Sequence, residues 1–275
     1  MNKIVAPVDF STVSLNAAFF AVHVAEALKR DLLLLHVVQQ NMYYGDVTMP
    51  VGEYEALSEE AAEALSKLAD KLEKETEGRV TVHTYITIGN PVDVLLQTSR
   101  STCAYSIVMG TNGTGSVERF FLGSTTQTLV SEAGCPVIVV PKNYQYSGIS
   151  NIGFACDFNN VQAKTPDATI KSLLHDFNAR LEVLHVNGNH QELAPEMQEA
   201  EQLLKTMFSE QQPKFHYLHG KQVEECVLDY AIENKMDMLI VLPENHTLFE
   251  TFFKHDHTGH FIRMSSIPVL VLKNH

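Results

Sequence analysis

Ile4–Ala17 reads IVAPVDFSTVSLNA and Ile152–Thr165 reads IGFACDFNNVQAKT, so that Asp9-Phe10 falls on Asp157-Phe158 at an offset of 148. The correspondence continues outward. Leu32–Val38 (LLLLHVV) answers Leu181–Asn187 (LEVLHVN) with His36 on His185 at an offset of 149, and Gly134–Asn143 (GCPVIVVPKN) answers Ser266–His275 (SIPVLVLKNH) at an offset of 132. The offset shrinks because the second copy is shorter in its middle. A repeat of this length means a duplicated structural unit. Residues 1–143 and 150–275 are therefore read as two homologous domains, and the polar stretch Asn143–Ser150 (NYQYSGIS) as a short linker.

Within the first copy the apolar periodicity alternates between strand and helix. Ile4–Val8 reads as a buried strand, Thr12–Lys29 as an amphipathic helix and Leu32–Val38 as a second strand. A helix over Glu53–Glu77, a strand at Val80–Thr87, a helix from Pro91, a strand at Tyr105–Met109, a helix from Ser124 and a strand at Val137–Val140 follow. Strands of near-continuous Val, Ile and Leu between helices belong to a parallel sheet covered on both faces. Each copy is thus expected to be a five-stranded α/β unit.

Composition excludes several classes. Of the 275 residues, 45% are hydrophobic and 19% charged, which is globular usage and not that of a disordered or collagen-like chain. With 20 bases against 33 acids the net charge is −13, the wrong sign for a nucleic-acid binder that must neutralise phosphates. The apolar runs Leu32–Val38 and Pro136–Pro141 have the length of strands, shorter than the roughly 20 residues of a bilayer span. The start MNKIVAPVDF places an aspartate where a signal peptide needs an apolar stretch. Cys103, Cys135, Cys156 and Cys226 stand singly, as reduced thiols of a cytoplasmic protein would.

In an open parallel sheet, ligands sit beyond the carboxyl ends of the strands. Two loops there stand out: Asp9-Phe10-Ser11 after the first strand, and the run from Gly110 through Gly113 and Gly115 to Ser116 after the fourth. Glycines at these positions admit positive φ and let consecutive backbone N–H groups form a concave anion site. Gly123-Ser124-Thr125 then opens a helix, whose N-terminus attracts negative charge. A polyphosphate suits such a loop; a glycine-rich solvent loop before a capped helix is the plainer alternative.

The spacing Gly110-x2-Gly113-x9-Gly123-Ser124 resembles the ATP-binding motif of the universal stress protein family, and the resemblance runs through most of residues 1–141. It implies two open parallel sheets of strand order 3-2-1-4-5, with helices on both faces, paired through Val137–Val140 and Val269–Leu272 as a pseudo-dimer inside one chain. It also implies roles for individual residues. Pro7, Val8 and Asp9 would lie along adenine and ribose, Val37 against the base, Met109 and Gly110 behind the site, and Gly113, Gly123, Ser124 and Thr125 around the phosphates. Asp9 reads alternatively as a helix N-cap and Val37 as plain core. Where many ATP-binding members carry basic residues in the loop, this chain has Asn112 and Thr114, which predicts weaker phosphate affinity.

The second copy departs further. Pro243 and His246 stand against Gly110 and Gly113, His255 and Asp256 against Gly123 and Ser124, and Ala155-Cys156 against Pro7-Val8, so this half reads as degenerate for nucleotide. The expected function is therefore a stress-response protein that binds ATP, with or without magnesium, in its first domain and presents a ligand-gated surface to a protein partner. Slow ATP hydrolysis or phosphoryl transfer, and a nucleotide-independent module, are the alternatives, and two chains pairing further as a homodimer is left open.

Histidines are unevenly spread: His23, His36 and His83 precede the linker and the other 10 of 13 follow it. His246, His255, His257 and His260 have the ligand chemistry for zinc or another divalent ion, and equally that of a solvated polar loop. His36 and His185 end apolar strands and read as hydrogen-bonded core residues. Cys135 before Pro136 reads as packing rather than a nucleophile.

Overall fold

The structure is a computed structural model that describes residues 3–39, 51–111, 124–187, 194–220, 222–242 and 265–273. It divides into two compact units that part between Lys142 and Asn143.

The first unit contains β1 (Ile4–Pro7), α1 (Thr12–Ala27), β2 (Leu32–Gln39), α2 (Val51–Glu75), β3 (Val82–Gly89), α3 (Pro91–Ser101), β4 (Ser106–Gly110), α4 (Ser124–Glu132) and β5 (Val137–Val140). Its strands lie in the order β3-β2-β1-β4-β5 and every pair is parallel. Ile4, Val5 and Ala6 at the centre are completely buried. The helix α1 presents Ala17, Ala18, Ala21 and Ala25 together with Phe20 to the interior, and the small side chains let it lie close to the sheet.

The second unit repeats the plan with β6 (Asn151–Ala155), α5 (Val161–Lys164), α6 (Asp167–Phe177), β7 (Arg180–Val186), α7 (Pro195–Met207), β8 (Lys214–Leu218), α8 (Val223–Glu233), β9 (Met238–Val241) and β10 (Val269–Val271). Its strands lie in the order β8-β7-β6-β9-β10, again parallel throughout. Both units are therefore the α/β unit that the alternating periodicity predicts.

Beyond shifts of a residue or two at element ends, such as α1 stopping at Ala27 before left-handed Lys29 (φ 51°), three departures from the sequence expectation have a local reason. Helix α2 ends earlier than Glu77, because Glu77 (φ 52°) and Gly78 (φ 76°) turn left-handed and the Gly78 N–H donates to the Glu73 carbonyl at 2.8 Å. This bond closes the helix C-terminus, and it moves β3 two residues on from the expected Val80 start. The long α1 has no single counterpart, since Pro166, which has no N–H to donate, separates α5 from α6. Finally, Asn143–Ser150 is not a free linker. Tyr144 donates to the Asp237 carbonyl, Ile149 is buried, and the Asp237 carboxylate accepts from the N–H groups of Ser150 and Asn151 at 2.8 and 2.9 Å.

Among the described residues, no helix is long and apolar enough to cross a membrane.

Candidate functional site

In the first unit the chain winds from β1 to β2 and β3 in one direction and then crosses to β4 on the other side, so the switch point lies between the carboxyl ends of β1 and β4. The turn after β1 is tightly specified. The Val8 N–H donates to the Leu35 carbonyl at 2.9 Å, and the Ser11 N–H donates to Asp9 Oδ1 at 3.0 Å. Ser11 caps α1 by accepting from the Ser14 N–H at 3.2 Å, while the Asp9 N–H donates to Ser14 Oγ at 3.2 Å. The N-cap is thus Ser11, and the reading of Asp9 as the cap is corrected. Asp9 shapes the approach to the helix through its own turn.

Phe10 sits at φ 61°, a left-handed conformation that costs a non-glycine residue roughly 1 kcal/mol. His36 holds it there. Its Nδ1–H donates to the Val8 carbonyl at 2.7 Å, and its ring packs 4.9 Å from that of Phe10. The second unit repeats the device: the Asn159 N–H donates to Asp157 Oδ1 at 2.9 Å, Phe158 has φ 62°, and His185 stacks on it at 4.2 Å and donates to the Cys156 carbonyl at 3.0 Å. Both histidines are therefore hydrogen-bonded as expected, although Nε2 of His185 is buried without a partner among the described residues.

Around the turn, Val8 and Met109 are buried, Pro7 and Val37 half-buried, and Thr125 lies half-buried in the first turn of α4. Gly110 ends β4 with no positive φ, so the sequence argument from conformational freedom does not apply to it. Its requirement is space. A Cβ built there would lie 2.3 Å from Val13 Cγ1 and 3.0 Å from the Val13 carbonyl oxygen, so the first turn of α1 rests directly on this glycine. Thr126, which sequence reasoning missed, is buried and donates to the Gly110 carbonyl at 3.2 Å, fastening the start of α4 to the end of β4. A threonine one place beyond the expected contact Thr125 carries no signal that distinguishes it in sequence.

Strand pairing also corrects the comparison of the two halves. Ile4 pairs with Ser106 and Ile152 with Met238, and Ile107 pairs with Val137 as Leu239 does with Val269. The residue answering to Gly110 is accordingly Leu242 and not Pro243. Gly113, Gly123, the side chain of Ser124 and the four histidines His246, His255, His257 and His260 lie outside the described residues. Among the described residues, no group of three or more His, Cys, Asp or Glu side chains is placed to hold a metal ion.

Burial pushes the Cys135 thiol up to about 11, against the smaller opposing effects of hydrogen bonds with Ile107 and Ser99. A thiol with that value is ionised only to about one part in a thousand at pH 8, whereas the thiolate is the reactive form. Cys103 is exposed. Iodoacetamide at pH 8 is therefore expected to modify Cys103 at least about tenfold faster than Cys135, as read by peptide mass spectrometry; equal rates would contradict the inert packing role of half-buried Cys135.

The model of the universal stress protein family matches residues 1–141. The chain belongs to the universal stress protein family. Over 146 residues it is 36% identical to a universal stress protein of Methanocaldococcus jannaschii, an alignment that covers 51% of this chain and 82% of that one. A universal stress protein of Thermus aquaticus is 34% identical over 137 residues, covering 48% of this chain and 93% of the relative. The crystal structure of a universal stress protein from Archaeoglobus fulgidus covers 99% of this chain and 96% of its own with a TM-score of 0.69 at 18% identity, a likeness of fold. The sequence relatives each match about half of the chain.

Proposed function

We propose that the first unit of this universal stress protein binds ATP or a related nucleotide, with magnesium on the phosphates, at the carboxyl ends of β1, β2 and β4. The observation that carries this reading is the junction at Gly110. Here β4, the first turn of α1 and, through Thr126, the start of α4 converge beside the Asp9 turn. Val37 offers a half-buried apolar side chain for a purine, and Asp9 an acceptor for ribose hydroxyls. Gly113, Gly123, Ser124 and Thr125 belong to the same proposal as phosphate contacts. The second unit is assigned no nucleotide, because Leu242 fills the position of Gly110 and Ala155-Cys156 that of Pro7-Val8.

Binding, rather than turnover, is the proposed activity: nucleotide occupancy alters the surface beyond β4 that a protein partner meets in a stress response. No disulfide joins the four cysteines, which accords with a cytoplasmic setting. Titrating magnesium and ATP into the purified protein by calorimetry is expected to give a saturable heat with one site per chain. No heat at millimolar nucleotide would overturn the proposal.

A further inference from the structure

The second unit contains a cavity of about 560 Å³, lined by Asn187, the run Phe215–His219 and Tyr230. Five consecutive residues of one strand region cannot all direct side chains into the same space, since alternate side chains point to opposite faces of a sheet. Asn187, which follows β7, and Tyr230 on α8 place the cavity at the carboxyl end of β8. Strand β8 ends the order β8-β7-β6-β9-β10 and pairs only with β7 among the described residues, so its other edge has no neighbouring strand there. Leu218 turns its carbonyl inward, to accept from the Asn187 N–H at 2.9 Å. The alternation of the ladder then directs the N–H and C=O groups of Phe215 and Tyr217 outward.

Natural edges are blunted by prolines, bulges or charges that prevent another strand from adding. Strand β8 (KFHYL) has no proline and a single charge, Lys214, at its start. Its side chains are braced on both faces. On one, the Tyr230 hydroxyl is hydrogen-bonded to His216 Nδ1 at 2.8 Å, and His216 Nε2 lies 2.9 Å from a Glu182 carboxylate oxygen. On the other, Glu201 is paired with Lys205, and the Lys205 ammonium lies 5.3 Å from the centre of the Phe215 ring. In the first unit, pairing along the ladders puts Leu33 and Tyr85 at the places of Glu182 and His216, and Tyr85 is 47% exposed. The first unit's edge strand β3 is held differently, through His83 Nε2, 3.1 Å from Asp31 Oδ2, and the Val82 N–H, which donates to Glu73 Oε1 at 2.9 Å.

We propose that the outer edge of β8 docks an extended, basic segment of a partner protein, which adds to the second unit's sheet as a further strand. Backbone hydrogen bonds to Phe215 and Tyr217 would supply affinity, and five residues of strand at ~3.3 Å each set the length of the docked segment at about five residues. Charge chooses the occupant. From residue 144 onward the chain has 17 acids and 10 bases, a net −7, and Glu224, Glu225 and Asp229 on α8 make the surroundings negative enough to help raise the Cys226 thiol, a smaller contribution than its burial. A second copy of this acidic unit is disfavoured there and a lysine-bearing strand is favoured. Nucleotide has no part in this docking, so it stands or falls separately from the ATP site.

The test uses the full chain and three fluorescent peptides: alternating lysine and valine, alternating glutamate and valine, and the lysine peptide with alternate backbone amides methylated. The first is expected to bind with saturation below about 1 mM and to slow amide exchange at Phe215 and Tyr217, with the other two at least about tenfold weaker. Equal binding of all three, protection elsewhere, or no binding would overturn the proposal. So would protection of Phe215 and Tyr217 that appears on raising the protein concentration without peptide, which would assign the edge to self-association.

Discussion

Gly110→Val is expected to lower the unfolding free energy by about 2–4 kcal/mol in chemical denaturation. The side-chain clash with Val13 Cγ1 at 2.3 Å is relieved by rotation, but the approach of a Cβ to the Val13 carbonyl oxygen at 3.0 Å and carbon at 3.2 Å is set by backbone. Relief requires the first turn of α1 to withdraw, which strains the Ser11 cap and the Asp9 turn with it. Gly110→Ala carries the same Cβ and loses a substantial part of the same free energy. Gly153 provides the internal comparison. A Cβ there meets Met236 Sδ at 2.6 Å and Leu239 Cδ2 at 2.7 Å, the far ends of flexible side chains, so Gly153→Ala is expected to cost less than Gly110→Ala. A neutral Gly110→Ala, or the reverse order of the two, would show that α1 yields where the packing says it cannot.

Asp9→Ala is expected to weaken ATP binding by at least about tenfold, measured by calorimetry against the wild type. A hydrogen bond to a charged acceptor contributes about 1.5–3 kcal/mol, and each 1.4 kcal/mol is a factor of ten. The substitution also removes the acceptor of the Ser11 N–H, so Asp9→Asn serves as the companion variant. An asparagine keeps a neutral oxygen for the turn while giving up the charge. If Asp9→Ala alone loses affinity, the turn geometry is what matters; if both do, the carboxylate itself receives the ligand. Unchanged affinity in both would remove Asp9 from the site.

The repeat and the alternation of strands with helices were legible because buried parallel strands write themselves as apolar runs, whereas the strand order 3-2-1-4-5 rested on the family resemblance. Helix α1 begins at Thr12 as the sequence predicts, since Ser11 is a cap by composition as well as by geometry. What escaped depended on contacts distant in sequence. The closeness of Val13 to Gly110 cannot be read from either segment alone, so the glycine seemed to serve backbone freedom when it serves packing. Likewise the proline at position 243 attracted the comparison with Gly110, whereas the ladder places Leu242 there. The shift of β3 to Val82 follows from left-handed Glu77, a residue type that rarely announces such a conformation.

Leu242 and the short α5 bear on one contact. Val161 stands where Val13 stands in the first unit, and α5, which it begins, is a single turn of four residues. A side chain at the place of Gly110 means that this turn cannot lie on its strand end as the first turn of α1 does. The Asp157-Phe158 turn with its histidine forms all the same. The turn therefore does not depend on the glycine contact, and the two halves share the turn while differing in the helix above it.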